Sequence, residues 1–128
     1  MKQGLIIFIS VLLALLTAGI IFNEFQSRKQ ARLLALADQI FHCRKRLRGI
    51  TTDLKHYKDR HKYDLPKSLN DIDDPSYYCY GEDIFKKDPW GNNFIYIVTP
   101  NSSEGYFLYS PGPNGKDEQR KGDDISLF

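Results

Sequence analysis

The sequence predicts an α+β protein in which a long N-terminal helix, membrane-spanning in its first half, packs on a small antiparallel β-sheet. Three observations carry this. Residues 5–22 hold no charged side chain, apolar residues then recur at helical spacing over residues 33–57, and two strand-like runs near the C-terminus flank a loop of turn-forming residues. The chain has 128 residues, enough for one domain.

The N-terminal run LIIFISVLLALLTAGIIF covers ~27 Å as a helix, close to the ~30 Å hydrocarbon core of a bilayer. A helix satisfies its own backbone hydrogen bonds, as the membrane interior requires. A cleaved secretory signal has a shorter apolar core, about 7–15 residues, followed by a small-residue cleavage site. Phe22-Asn23-Glu24 is a poor site of that kind, so the segment is expected to be retained.

No proline precedes Pro66, and Gly49 is the only glycine between Phe22 and that position. Leu33, Leu36, Ile40, Cys43, Leu47, Ile50, Leu54 and Tyr57 alternate spacings of three and four, one narrow apolar seam on a helix. A coiled coil would also produce such a seam. Cys43 and Tyr57 are unusual there, however, and alternating flanking charges are missing, so the seam is assigned to packing on the chain's own sheet. Pro66 disfavours a helical residue before it and ends the helix.

A polar, aromatic loop over residues 67–89 follows, with Tyr77, Tyr78 and Tyr80. Then come strands at residues 94–98 and 106–109, joined by a hairpin loop at 99–105. Residues 110–128 are rich in Gly, Pro and Asp and end on Ile125 and Leu127. The layout is a transmembrane helix at 5–22, its continuation at 23–62, and a body of loop, hairpin and acidic loop at 63–128.

A net charge of +2 excludes a strongly basic or acidic protein as a whole. It conceals a division: residues 28–62 hold eleven basic and three acidic side chains, net +8, whereas residues 63–128 hold six and twelve, net −6. Such a pattern suits electrostatic contact between neighbouring molecules, or simply two solvated faces. There is no Gly-rich phosphate loop, no nucleophile elbow and no His pair at i, i+4. His42, His56 and His61 read as exposed helix residues and Trp90 as packing, so no enzyme activity is expected.

Cys43 lies on the seam and Cys79 in the aromatic loop. In an exported domain they permit one disulfide closing a loop of 35 intervening residues, worth about 3–4 kcal/mol; a buried thiol at Cys43 is the alternative. Two cysteines are too few for a usual zinc site.

The string Lys87-Asp88-Pro89-Trp90-Gly91-Asn92 precedes an aromatic strand, Leu108-Tyr109-Ser110, Asn114-Gly115 and Asp123-Asp124-Ile125. Together these resemble the major pseudopilins of type II secretion systems, over about the last 45 residues and more loosely along the helix and Leu65-Pro66-Lys67-Ser68-Leu69. The resemblance implies the type IV pilin-like fold and a non-enzymatic, structural role in a secretion apparatus or related filament. It also implies a bacterial inner-membrane location with the body in the periplasm. Positive-inside counting of Arg28, Lys29 and Arg32 points to the cytoplasm instead, and the resemblance is preferred.

Implied partners are other pseudopilin subunits, the inner-membrane secretion platform with its ATPase, and a prepilin peptidase; nucleic acid is not expected. Met1-Lys2-Gln3-Gly4 is similar to a leader, with cleavage between Gly4 and Leu5 and methylation of the new terminus. The family places a Glu fifth after the cut, where this chain has Ile9 and no Glu before Glu24. That departure favours a tip or minor subunit, or an uncleaved anchored relative. The resemblance further implies calcium in residues 110–124, held by Pro111, Asn114, Asp123 and Asp124, with Asp117 as a substitute; a metal-free acidic loop with an Asn-Gly turn is the alternative. A DNA-uptake subunit using Arg44, Lys45, Arg46 and Arg48 is the runner-up function.

Overall fold

The computed structural model describes residues 2–72 and 87–127. In chain order the described residues form α1 (Lys2–Arg60), a 3-10 turn (Leu69–Asp71) and strands β1 (Ile95–Val98), β2 (Tyr106–Ser110) and β3 (Ile125–Ser126). Tyr77, Tyr78, Cys79 and Tyr80, most of the expected aromatic loop, lie outside the described residues. The chain divides into two units, Met1–Ala37 and Asp38–Phe128.

The first unit is helical, long and apolar enough near the N-terminus to cross a membrane. Its large apolar side chains, among them Leu5, Phe8, Leu12, Leu15, Ile20 and Phe22, are all exposed. The Ser10 and Thr17 hydroxyls donate to the carbonyls of Ile6 and Ala14 at 2.9 Å, so neither needs an outside partner within the apolar run. Just past that run Arg28 pairs with Glu24 at 3.6 Å.

In the second unit α1 places Cys43, Leu47, Ile50 and Leu54 on one face, each wholly buried. They pack with Ile72, Phe94, Tyr106 and Ile125 into a single core, with Ile40, Leu65, Leu69, Trp90 and Tyr96 at its edge. The expected seam is therefore buried only from Ile40 onward: Leu33 is 58% and Leu36 36% exposed. The residues that cover the seam come from the sheet and the segment after the helix, and they gather on its C-terminal part alone.

The sheet is antiparallel with order β1-β2-β3. Ile95 faces Tyr109 and Val98 faces Tyr106 across β1 and β2, while Tyr109 and Ser110 face Ser126 and Ile125 across β2 and β3. The short apolar finish of the chain is thus a sheet strand. The hairpin closes through Thr99 N–H to the Gly105 carbonyl at 2.9 Å, with Gly105 at φ 85°.

The helix ends sooner than Pro66 alone requires. Lys62 and Tyr63 take left-handed conformations, φ 55° and 72°, and the Tyr63 N–H closes on the Lys58 carbonyl at 2.7 Å. Pro66 is then fully buried, and the Tyr96 hydroxyl donates to its carbonyl at 3.0 Å. Ser68 caps the 3-10 turn, accepting from Asn70 N–H at 3.2 Å while its own N–H reaches the Asp71 carboxylate at 2.8 Å.

Candidate functional site: the Asp88 turn and the acidic loop

Pro89 and Gly91, the latter at φ 88°, shape a tight turn after Asp88. The Asp88 carboxylate, 2% exposed, sits inside it. Its Oδ1 accepts from the backbone N–H groups of Trp90 at 3.0 Å and Asn92 at 2.8 Å. Its Oδ2 accepts from Asn92 Nδ2 at 3.2 Å and Ser110 Oγ at 2.6 Å. A buried carboxylate with four donors is compensated, and each donor is held in return.

This turn is tied to the start of the acidic loop. Ser110 Oγ also accepts from the Gly112 N–H at 2.9 Å, and Asn92 Nδ2 also donates to the Gly112 carbonyl at 2.9 Å. Gly112, at φ 68°, lies so close to the Asp123 carbonyl that a β-carbon there would run into it. The DPWGN string, the end of β2 and both ends of the loop are one hydrogen-bonded assembly. Sequence reading gave Asp88, Asn92 and Ser110 no role of their own. An Asp placed before Pro, with Gly three residues on, was the available signal, but the side-chain partner at Ser110 is 22 residues away.

The turn also joins the helix. Trp90 Nε1 donates to Gln39 Oε1 at 3.0 Å, and Arg46 donates to the Lys87 carbonyl at 2.7 Å. Cys43 is buried beside Ser110; burial pushes its thiol above the usual range, opposed by the Ser110 hydrogen bond. Cys79, its expected disulfide partner, lies outside the described residues.

Within the loop, Asn114 and Asp123 meet directly. Asn114 donates to the Asp123 carboxylate through its backbone N–H at 3.0 Å and through Nδ2. Asp124 Oδ2 accepts from Arg120 N–H at 2.7 Å and Glu118 N–H at 3.1 Å. Asp117 is drawn elsewhere, accepting from the Tyr109 hydroxyl at 2.9 Å and Gln119 N–H at 2.8 Å. Glu118, which the sequence did not single out, accepts from Asp123 N–H at 3.0 Å. Pro111 is buried between Ser110 and Gly112.

The carboxylates therefore face the partial positive ends of backbone and amide N–H groups. Among the described residues no set of three His, Cys, Asp or Glu converges as metal ligands. Among the described residues, Asp124 Oδ1 is buried and without a hydrogen-bond partner. A carboxylate oxygen of that kind is a hard donor, the type that calcium takes.

Tyr109, on β2, is 2% exposed, and burial followed by the Asp117 hydrogen bond pushes its phenol up to about 12. His42 and His56 are exposed as expected, but His61 is half-buried and stacks on Tyr57 with ring centroids 3.9 Å apart. Of the basic run, Arg44, Lys45 and Arg48 are exposed while Arg46 is held by Lys87. Compared with family models, curated proteins and solved structures, the chain matches none.

Proposed function

We propose that the protein is a structural, pseudopilin-like subunit of a type II secretion or related type IV filament apparatus, anchored in the bacterial inner membrane with its body in the periplasm. The observation that supports this best is the double use of one helix. In α1 the N-terminal apolar side chains are exposed, while Cys43, Leu47, Ile50 and Leu54 are buried on a three-stranded antiparallel sheet. A helix apolar on the outside needs lipid or other helices around it, whereas the buried stretch already has its own cover. The DPWGN turn, joined to the acidic loop by Asp88, Asn92 and Ser110, supports the same reading.

In this role residues 5–22 provide the anchoring and assembly surface, and other pilin-like subunits, the membrane platform with its ATPase and a prepilin peptidase are the partners. Calcium is proposed at the acidic loop, held by Asp123, Asp124, Asn114 and the Pro111 carbonyl. Bound there, it neutralises adjacent carboxylates and ties the two ends of the loop together. The Asn114 and Glu118 hydrogen bonds already hold those ends near each other, so the ion stiffens a formed loop.

The assembly reading is tested by placing a photocrosslinking residue at Ile9 in the full chain, in cells that carry a secretion system. Cross-links to a second copy or to other apolar-helix subunits, with loss of protein export on deletion, are expected. Cross-links to lipid alone and unimpaired export would refute it. Mass spectrometry of the N-terminus decides the processing claim, with Leu5 first if the leader is cut. For the cation claim, calcium should raise the melting temperature of wild type, and Asp123→Ala should abolish the shift. No shift in either protein would remove calcium.

A further inference from the structure

Beyond the apolar run, α1 carries a compact basic band. Arg28, Lys29 and Arg32 fall within five residues, and no further basic side chain occurs until Arg44. Phe25 lies three and four residues before Arg28 and Lys29, these lie four and three before Arg32, and Lys29 lies four before Leu33, so the five share one side of the helix. Together these five line a hollow of about 400 Å³ on the helix surface. Its rim residues Phe25 and Leu33 are 64% and 58% exposed, large apolar side chains open to whatever surrounds the helix.

The axial position matters as much as the charge. At about 1.5 Å per residue, Phe25 stands ~4–5 Å past Phe22, Arg28 and Lys29 ~9–11 Å, and Arg32 ~15 Å. The polar layer of a bilayer is only ~5–8 Å thick on each side, the difference between its total and hydrocarbon thickness. Long Arg and Lys side chains bend toward such a layer, their stems lying along apolar surface. Phe25 thus falls within the headgroup layer and the three cations at its outer edge. Glu24 partly offsets Arg28 through their ion pair, while Lys29 and Arg32 have no ion pair among the described residues.

We propose that Phe25, Arg28, Lys29 and Arg32 form a collar that binds the phosphates of anionic phospholipids, with Phe25 against the glycerol and upper acyl region. Guanidinium groups fork onto phosphate oxygens, and Lys29 adds a point charge between them. The collar rests on the membrane-spanning reading of residues 5–22. It adds a preference among lipids, and it fixes how far the helix can slide along the membrane normal.

The test reconstitutes the full chain in vesicles of phosphatidylcholine mixed with phosphatidylglycerol and counts, by native mass spectrometry, the lipids that stay bound on release. Each cation near an anionic surface contributes a factor of about five in local lipid preference. Wild type should retain phosphatidylglycerol at least about fivefold over its share of the mixture. The triple variant R28Q/K29Q/R32Q should retain it in proportion to the mixture, and E24Q should increase the preference. Alkaline extraction of the same vesicles separates the two claims. A chain that stays in the pellet without lipid preference, or whose preference survives the triple variant, overturns the collar alone. A chain released to the supernatant overturns the membrane reading and the collar with it.

Discussion

Asp88 should be the most sensitive polar position in the body. Its carboxylate, 2% exposed, accepts from Trp90 N, Asn92 N, Asn92 Nδ2 and Ser110 Oγ. A hydrogen bond to a charged acceptor contributes about 1.5–3 kcal/mol, but contributions within one network do not add, because displaced donors find water or each other. Asp88→Ala removes every acceptor at once and leaves buried donors unpaired, for which about 3–5 kcal/mol is the fitting magnitude. Against a usual domain stability of about 5–15 kcal/mol, that is a third or more of the total.

Trp90 is the only tryptophan and lies two residues from the substitution, so its fluorescence reports the unfolding of this region directly. With a urea slope of about 1–2 kcal/mol/M, the midpoint of the full chain in detergent should fall by about 2–3 M. Asp88→Asn keeps one oxygen for the two backbone N–H groups but loses the acceptor for Asn92 Nδ2 and Ser110 Oγ, and should cost about 1–2 kcal/mol. An unfolding free energy for Asp88→Ala within about 0.5 kcal/mol of wild type would show that the turn stands without its carboxylate. The loop would then be held by something other than the Asp88 carboxylate.

Three further outcomes are expected. Leu47→Ala and Ile50→Ala should each cost about 2–5 kcal/mol by leaving a cavity, whereas Leu33→Ala, on the same sequence seam but exposed, should stay within about 0.5 kcal/mol in the same urea titration. Tyr63→Gly should stabilise by about 0.5–1 kcal/mol, since Tyr63 is 78% exposed and held at φ 72°; a loss of stability would mean that its ring makes contacts that outweigh the strain. Alkali should weaken the fold: burial raises Tyr96 and Tyr109 to about 12, so the folded state holds their protons where the unfolded state releases them. Stability is full below pH ~10 and falls toward pH ~12 by up to about 1.4 kcal/mol per pH unit for each tyrosine; Tyr109→Phe should flatten the slope seen by urea titration across that range.

Much of the architecture was legible because it depends on local pattern. A charge-free run of membrane length, a three-four apolar spacing and alternating aromatic strands each follow from side-chain geometry within one element, and α1, β1 and β2 fall where those patterns lie. The hairpin loop at 99–105 was readable for the same reason. Where pattern misled, the missing information was a distant partner. Leu33 and Leu36 continue the seam in spacing but have no cover, while Asp53, polar in any sequence reading, is 1% exposed.

The acidic loop divides the same way. That Asn114, Asp117, Asp123 and Asp124 belong to one oxygen-rich segment is a property of the sequence. Which of them meet is not: Asn114 turns its amide on Asp123, Asp117 goes to Tyr109, and Asp124 keeps one buried oxygen without a partner among the described residues. Chain composition and periodicity alone determined that this protein has an apolar helix long enough to cross a membrane, a small aromatic sheet and a division between basic and acidic stretches. Only the tertiary structure decided that Asp88 joins turn, strand and loop, because hydrogen-bond partners 20 or 22 residues apart are brought together by folding and leave no periodic trace in the chain.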